Sequence, residues 1–435
     1  MDVLDLTRLQ FAVVTIYHYF FVPLSISLAA TAAGLQLAWL RTGRNDLLHL
    51  TKFVGKLLIV TFAVGVVTGL VQEFQFGMGW SAFARFYGDV FGPTLAIEGM
   101  LAFFLEATFL ALWYFGWDRL PRAIHTATIV IVAIGTLLSA FIILAANSFM
   151  QNPVAYALDP LTGRARLTSF TSLLLNKVNL AAFPHTMSGA LMIGGALLLA
   201  LGVWRAAVEP AHGLLARIGA WMTLVGGALT AVTGDHLGKI ITEVQPMKMA
   251  AAEALYATTT GAPFALFATG KPLPEFSLEV PFLLSVLAKG SPGATVQGID
   301  DLQTQYAAAY GPGSYVPMVP VAFWSFRLMI GAGMLAAAIA AYYLWRTRSA
   351  RTAPGWLTRY LPLIPVLPAA ANTLGWIFTE TARQPWIAFG ISTVADGISP
   401  GLTTAEVATS LAGFTVIYGA LAIVWFRLIR HLARQ

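Results

Sequence analysis

The feature of this sequence that most constrains its fold is the recurrence of long segments with almost no charged residues. Nine such segments occur along the 435-residue chain. Each has about 20 residues or more, enough to cross the hydrocarbon core of a bilayer as an α-helix. Their rough bounds are 10–40, 52–76, 93–116, 122–146, 180–207, 215–236, 321–346, 359–381 and 406–431. The sequence therefore predicts an all-α, polytopic membrane bundle of about nine transmembrane helices.

Composition excludes the other broad fold classes. Only 11% of the residues are charged and 57% are apolar, whereas a soluble domain has about 25% charged residues. The segments also lack the alternating pattern of a membrane β-barrel strand. No small-residue cleavage site follows the first apolar stretch, so we expect the first helix to be retained rather than removed as a signal peptide.

Basic residues predict the orientation of the bundle. They follow the first, third, fifth and seventh predicted helices and recur in the C-terminal tail: Arg41, Arg44, Lys52, Arg119, Arg122, Arg205, Arg217, Arg346, Arg348, Arg351, Arg359, Arg430 and Arg434. Loops rich in Lys and Arg remain in the cytoplasm. The N-terminus is therefore expected outside and the C-terminus in the cytoplasm, in agreement with an odd number of helices.

One hydrophilic interruption, residues 237–320, is too long to be a simple turn. It divides the chain into helices one to six (1–236), an extracytoplasmic loop (237–320) that we expect to be functional, and helices seven to nine (321–435). The chain has no cysteine. Any metal must therefore be held by His, Met or carboxylate side chains.

Ionisable side chains inside the spans cost free energy in lipid and usually serve a function. Those within the predicted spans are His18, Glu73, Glu98, Glu106, His185, Arg327 and Glu380. All but Glu106 are expected in the outer half of the bundle, as is Met329. His and Met are a common axial pair for haem iron, so His185 and Met329 could hold one porphyrin. The alternative is a polar core histidine and a methionine that fills space.

Eight stretches carry a resemblance to a known family. In chain order they are LTRLQFAVVTIYHYFFVPLS, GVVTGLVQEFQFGMGW, FGPTLAIEGMLAFFLEATFLALWYFGWDRL, SAFIILAANSFMQNP, FPHTMSGA, GDHLGKIITEVQPMKMAAAEA, FWSFRLMIGAG and GWIFTETARQPW. Together they resemble subunit I of the cytochrome bd-type quinol oxidases over nearly the whole chain. Eight stretches in the family's order make this resemblance very specific.

The resemblance implies a set of haem ligands. His185 and Met329 match the axial ligands of a low-spin haem b. His18 and Glu380 match the ligands of a high-spin haem b and of haem d, although the sequence leaves open which ligand holds which haem. Four further residues match catalytic or haem-adjacent positions: Glu98, Glu106, Arg327 and Trp376.

The resemblance also implies a quinol site. Lys248 and Glu253 match the family's quinol pair, and 237–320 matches a quinol loop of the short type. On composition alone, a solvated amphipathic helix is the alternative for this stretch. Two residues depart from the usual pattern, Ala382 before an intact Arg-Gln-Pro-Trp, and His236 beside Asp235. Neither is expected to touch a ligand, so the implied haem ligands are unaffected.

The implied activity is oxidation of membrane quinol at the outer face and reduction of O2 to water with protons taken from the cytoplasm. This generates a proton motive force without pumping. Glu98 and Glu106 would lie about 12 Å apart along one helix, as successive proton stations. Below them, Thr108, Ser139, Asp118 and Lys56 form a polar column toward the cytoplasm. For Thr108 and Ser139, hydrogen bonding between helices is an equal alternative.

The partners implied are subunit II, a small single-helix subunit in some members, menaquinol or ubiquinol, O2 and the bilayer of the bacterial cytoplasmic membrane; no nucleic acid is expected. Within the family, the alternative is a cyanide-insensitive-type oxidase with a third haem b in place of haem d. From another class, the alternative is a proton-coupled secondary transporter. Transporters of that class commonly contain inverted repeats, and the sequence shows none.

Overall fold

The computed structural model describes residues 2–206, 208–270, 272–348 and 355–434. Within these ranges, nine helical segments are long and apolar enough to cross a membrane. The helices in chain order are α1 Val3–Thr42, α2 Asn45–Met78, α3 Ser81–Gly99, α4 Ala107–Phe115, α5 Arg122–Gln151, α6 Phe170–Leu174, α7 Lys177–Ala206, α8 His212–Val244, α9 Pro246–Glu253, α10 Leu283–Lys289, α11 Ile299–Tyr310, α12 Val319–Thr347, α13 Gly355–Tyr360, α14 Val366–Thr381, α15 Val394–Gly397 and α16 Thr404–Leu432. The predicted all-α membrane bundle is confirmed.

Two spans are interrupted rather than regular. The third span runs from α3 to α4 through a π-helical stretch, Met100–Glu106. The eighth runs from α13 to α14 through a short 3-10 turn, Leu361–Leu363. Such π-helical stretches are rare and are frequent at functional sites. The α8 helix continues to Val244, so the helical part of the sixth span extends beyond the predicted boundary at residue 236.

The strands are short and lie in the connections between spans. They form four antiparallel pairs: β1 Tyr156–Leu158 with β2 Ala165–Leu167, β3 Thr259–Thr260 with β6 Thr295–Val296, β4 Phe264–Thr269 with β5 Phe276–Val280, and β7 Trp386–Ala388 with β8 Ser392–Thr393. The β3 to β6 strands, with α9 to α11, build the connection between α8 and α12. This connection is therefore a folded unit that packs on the ends of the spans.

Small residues bring α7 and α8 into close contact. A Cβ added at Gly202 would lie 2.4 Å from the Ala216 nitrogen, and one added at Gly219 would lie 2.3 Å from the Leu199 nitrogen. Only glycine lets the two backbones approach each other this closely, and such small residues are common where membrane helices pack together.

Several basic connections meet at one end of the bundle. Arg205 donates to the carbonyls of Leu432 and Ala433 at 3.2 and 3.3 Å, and His49 Nε2 lies 2.8 Å from Glu209 Oε1. The connection after α1, the connection between α7 and α8, and the C-terminal end of α16 therefore share one end, as the charge pattern predicts. Arg351 lies outside the described residues, and the membrane face of this end remains a prediction.

Candidate functional site

A cavity of about 930 Å³ lies inside the bundle between α1, α2, α3, α5 and α14. Six of the predicted site residues line it: His18, Glu98, Glu106, Ser139, Trp376 and Glu380. Glu73 also contributes to the wall. The volume lies at the upper end of the range of about 300–1,000 Å³ for ligand and cofactor pockets. The α7 helix adds Thr186, Met187 and Ala190, so residues from six separate spans converge on one large cavity.

His18 on α1 is oriented by a threonine of α2. Its Nδ1 lies 3.1 Å from the Thr68 hydroxyl oxygen, and that hydroxyl donates its proton to the Val64 carbonyl at 2.9 Å. A hydroxyl that donates to Val64 accepts from His18, an arrangement in which Nδ1 carries the ring proton and Nε2 keeps its lone pair. Such a hydrogen bond from the far nitrogen is the usual support of a metal-ligating histidine. The His18 ring is thus oriented and tautomerically suited to bind iron through Nε2.

His185 on α7 has the same support from α8. Its Nδ1 lies 3.4 Å from the Thr233 hydroxyl oxygen, which donates to the Leu229 carbonyl at 2.7 Å. Each of these two threonines is followed by a glycine that faces the imidazole: a Cβ at Gly69 or at Gly234 would lie 3.0 Å from Cε1 of its histidine. Of the Thr-Gly pairs in the sequence, these two lie inside predicted spans, and that position is the signal that could have identified the supports in advance.

Met329 on α12 packs against α14. A Cβ added at Gly375 would lie 2.8 Å from the Met329 sulfur, so only glycine leaves the thioether its present position. His185 and Met329 are not among the residues that line the large cavity. His185 and Met329 therefore lie outside the cavity wall that contains His18 and Glu380.

Replacing Gly234 by alanine is expected to displace the His185 ring, because the new methyl group would approach Cε1 to 3.0 Å and Nδ1 to 3.3 Å. Changes to groups that orient a metal ligand cost about 10–100-fold in affinity. We expect a loss of this order in low-spin haem retention, measured as the haem that remains bound during dilution. Gly238 on the same helix is the matched control, since a Cβ there meets only Met249 Cε at 3.9 Å. Equal haem retention in the two variants would contradict the assignment of His185.

Glu380 lies on the cavity wall near the end of α14 and is held by two residues. Asn147 Nδ2 donates to its Oε1 at 2.9 Å, and the Arg383 guanidinium forms an ion pair with its Oε2. Arg383 is itself buried and also donates to the Ile387 carbonyl. Asn147 was not recognised from the sequence. The Glu-x-x-Arg spacing, one helical turn, could have indicated Arg383 as a partner.

Glu98 lies just before the π-helical stretch and Glu106 is its last residue. Both line the cavity. Ser139 of α5 donates to Glu98 Oε1 at 3.0 Å, a contact that joins the serine to the carboxyl predicted above it. Glu106 is only 4% exposed, and its Oε1 has no hydrogen-bond partner in the described part of the chain. Buried polar atoms of this kind are uncommon in native proteins and call for an explanation, such as a catalytic role or a bound water.

Trp376 stacks on Tyr19, with ring centroids 5.1 Å apart and an interplanar angle of 17°. Both residues line the cavity. Tyr19 directly follows His18 in the sequence, so this stacked pair joins α1 to α14 beside the proposed ligand. The sequence indicated the tryptophan but not its aromatic partner.

Three residues of the predicted polar column lie elsewhere. Thr108, Asp118 and Lys56 are exposed on the surface of the chain and do not line the cavity. Of the column, only Ser139 is brought together with the glutamates. The structure thus connects the upper part of the predicted path and leaves the lower part on an outward-facing surface.

Lys248 lies on α9, and its side chain is only 2% exposed. Its amine donates to the Gln151 side-chain oxygen and, at 3.1 Å, to the Thr379 carbonyl. Burial lowers the pKa of the Lys248 amine to about 7, an effect that Glu380 opposes and Arg383 reinforces. The solvated helix considered above is therefore not what forms here. Lys248 instead connects the long loop to the residue next to Glu380.

Glu253 lies at the other end of α9 and is 5% exposed. Its Oε2 accepts from Arg327 at 2.6 Å, and burial raises the pKa of its carboxyl while Arg327 opposes that rise. Arg327 also donates to the carbonyls of Ala252 and, at 2.9 Å, Ala265. Five residues along a helix correspond to about 140° of rotation, so Lys248 and Glu253 point to different neighbours.

Comparisons with known proteins agree on one family. The family model for cytochrome bd terminal oxidase subunit I matches residues 6–435. The chain is 39% identical over 445 residues to cytochrome bd ubiquinol oxidase subunit 1 of Bacillus subtilis (strain 168), with 100% of this chain and 94% of that protein covered. It is 32% identical over 509 residues to cytochrome bd-II ubiquinol oxidase subunit 1 of Escherichia coli (strain K12), with 100% and 96% covered. A solved chain of the bd oxidase from Geobacillus thermodenitrificans is similar with a TM-score of 0.90 and 27% identity, over 100% of this chain and 98% of that one.

Proposed function

This chain belongs to the cytochrome bd terminal oxidase subunit I family, and from that premise we propose that it carries the haems of a quinol oxidase in two separate places. It is an integral membrane protein and the catalytic subunit of a quinol:O2 oxidoreductase, which works with a subunit II. The observation that carries the proposal is the 930 Å³ cavity with His18 and Glu380 on its wall.

We assign the low-spin haem b to His185 and Met329, and the high-spin haem b and haem d to His18 and Glu380. The Thr-supported imidazoles and the glycines against His185, His18 and Met329 support this assignment. When bound, the haems supply electron transfer from quinol and the reduction of O2. In a cyanide-insensitive-type enzyme a third haem b would replace haem d on the same ligands. A reduced-minus-oxidised spectrum of the purified complex, with haem extraction, distinguishes these cases. A colourless complex would instead favour the transporter alternative.

We propose that quinol binds at α9, within the predicted 237–320 loop. The Glu253 carboxyl would accept a proton from the quinol hydroxyl, and the Lys248 ammonium would favour the developing quinolate by its charge. Glu253 is paired with Arg327, which precedes Met329 by two residues on α12. The proton acceptor would thus lie near the residue proposed to hold the first electron acceptor.

The Lys248 assignment predicts a specific pH dependence. Burial lowers the pKa of the amine to about 7, so we expect it to be charged below that pH and neutral above it. If the ammonium stabilises the quinolate, kcat/KM for quinol should fall as pH rises through about 7. Lys248→Met should lower kcat/KM and remove this descending limb, whereas Lys248→Arg, with a guanidinium that stays protonated, should move the limb to higher pH. An unchanged limb in Lys248→Met would contradict the assignment.

The carboxyls of the cavity would deliver the protons for water formation. Glu106, Glu98 and Ser139 offer groups that hold or transfer a proton, and the Glu98 to Ser139 contact of 3.0 Å supports transfer between those two residues. Thr108, Asp118 and Lys56 would form the inlet only if subunit II covers their exposed face in the assembled enzyme. We therefore propose that the cytoplasmic inlet lies between the two subunits.

The proposal also includes the membrane face at which protons are released and taken up. Quinol protons are released at the outer face and the protons for O2 reduction come from the cytoplasm, so charge separates without a pump. The assembled oxidase in sealed vesicles of known orientation tests this, with pH indicators on both sides during quinol-driven turnover. Proton consumption on the side of the α8 to α12 loop would overturn the proposed sidedness.

A further inference from the structure

Three side chains at the basic end of the bundle form a compact cluster, and none of them lines the cavity. His49 lies near the N-terminal end of α2, Glu209 lies between α7 and α8, and His212 begins α8. Each offers one ligand atom, and these atoms all lie within 4.8 Å of one another. In the part of the chain that the structure describes, this is the one group of three His, Cys, Asp or Glu side chains with such spacing.

The individual distances are close to those of a metal site. His49 Nε2 lies 2.8 Å from Glu209 Oε1, and His212 Nδ1 lies 3.2 Å from Glu209 Oε2. With bonds of about 2.0–2.1 Å, tetrahedral ligand atoms stand about 3.3 Å apart. The His49 side chain is 52% exposed, so it can make the small movement that coordination requires.

His212 provides the second observation. Its side chain is 0% exposed, yet neither ring nitrogen makes a hydrogen bond of acceptable geometry in the described part of the chain. Burying a polar group without a partner costs free energy. A cation held by Nδ1 would satisfy the nitrogen that faces the glutamate. The Phe53 ring packs edge-on against the imidazole, with centroids 4.9 Å apart, and restricts its orientation.

Arg205 holds the Glu209 carboxylate of the cluster in place. Its guanidinium donates to Glu209 Oε2 at 2.8 Å and to the Leu432 and Ala433 carbonyls. The carboxylate thus keeps Oε1 for a cation while Oε2 is fixed by the arginine, the arrangement common around ligating carboxylates. Arg205 also connects the cluster to the C-terminal end of α16.

We propose that His49, Glu209 and His212 bind a divalent transition-metal cation such as Zn²⁺, with water as a fourth ligand. Two imidazoles and one carboxylate suit Zn²⁺ and its neighbours in the first transition row. They do not suit Ca²⁺ or Mg²⁺, which take oxygen ligands. Bound metal would join the N-terminal end of α2 to the α7–α8 connection and the start of α8 at one end of the bundle.

The test uses the assembled oxidase, washed with chelator and dialysed against Zn²⁺. Mass spectrometric metal analysis, which separates zinc from haem iron, is expected to find about one zinc per chain. His49→Ala should weaken zinc binding by more than the 10–100-fold typical for an outer partner. Glu209→Gln should do the same with little change in side-chain size. His236→Ala, an exposed histidine on α8 away from the cluster, should bind zinc as the parent does.

X-ray absorption at the zinc edge should show two imidazoles and oxygen ligands in the parent protein. Absence of retained zinc in the parent, or equal zinc in the His49→Ala, Glu209→Gln and His236→Ala variants, would overturn the proposal. Because the readout is metal content and not turnover, it is independent of the quinol oxidase assignment.

Discussion

Quinol-driven oxygen consumption is expected to fall by more than about 100-fold when Glu380 is replaced by alanine. Loss of even an outer partner of a metal ligand costs about 10–100-fold, and Glu380 is proposed as the ligand itself. The change also removes the partner of the buried Arg383. The measurement is oxygen uptake by the purified complex together with its haem content per chain.

Glu73→Gln is the matched control for this prediction. Glu73 is a second carboxyl on the wall of the same cavity and is not proposed as a ligand. We expect this variant to keep its full haem complement. A Glu380→Ala complex with all its haems and normal turnover would exclude Glu380 as a ligand.

A second large effect is expected at the contact between α9 and α12. Replacing Arg327 by methionine leaves Glu253 buried and without its cation, and breaking a buried ion pair in this way costs about 3–5 kcal/mol. The free energy of unfolding should fall by that amount. The loop containing α9 should also become more sensitive to protease, since Arg327 donates to the Ala252 and Ala265 carbonyls as well.

A double-mutant cycle isolates the ion pair. Replacing both members of a buried pair by apolar residues is often nearly neutral, so Arg327→Met with Glu253→Met should recover most of the lost stability. Haem content is measured for the parent, the two single variants and the double variant. It shows whether haem binding at Met329, two residues along α12, depends on the ion pair. Additive losses in the double variant would show that the two side chains do not stabilise each other.

The α9 helix shows why sequence reasoning reached the residues but not their environment. Composition alone favoured a solvated amphipathic helix for MKMAAAEALYA, and only the family resemblance indicated function. In the structure Lys248 and Glu253 are both buried, because α9 packs against α8, α11 and α12. Their partners are Gln151, Thr379 and Arg327, none of which a local pattern could have identified.

For the polar column, the sequence predicted a shared path that the structure brings together only in part. Thr108, Asp118, Lys56 and Ser139 were expected to form one path because they share a depth order in the membrane. Depth follows from distance along each helix, whereas the direction of a side chain depends on the rotation of that helix in the bundle. Ser139 faces Glu98, and the other three face outward.

By itself the sequence determined the number and approximate bounds of the spans and the grouping of the basic connections, and the family resemblance indicated the candidate haem ligands. Apolar length and charge are local properties that add up along the chain, so they can be read without knowing any contact. Only the tertiary structure decided which polar side chains share the cavity with His18 and which are paired elsewhere. Glu380 meets Asn147 across 233 residues and Glu253 meets Arg327 across 74. Such contacts depend on how the helices rotate and pack against one another, which is a property of the whole bundle.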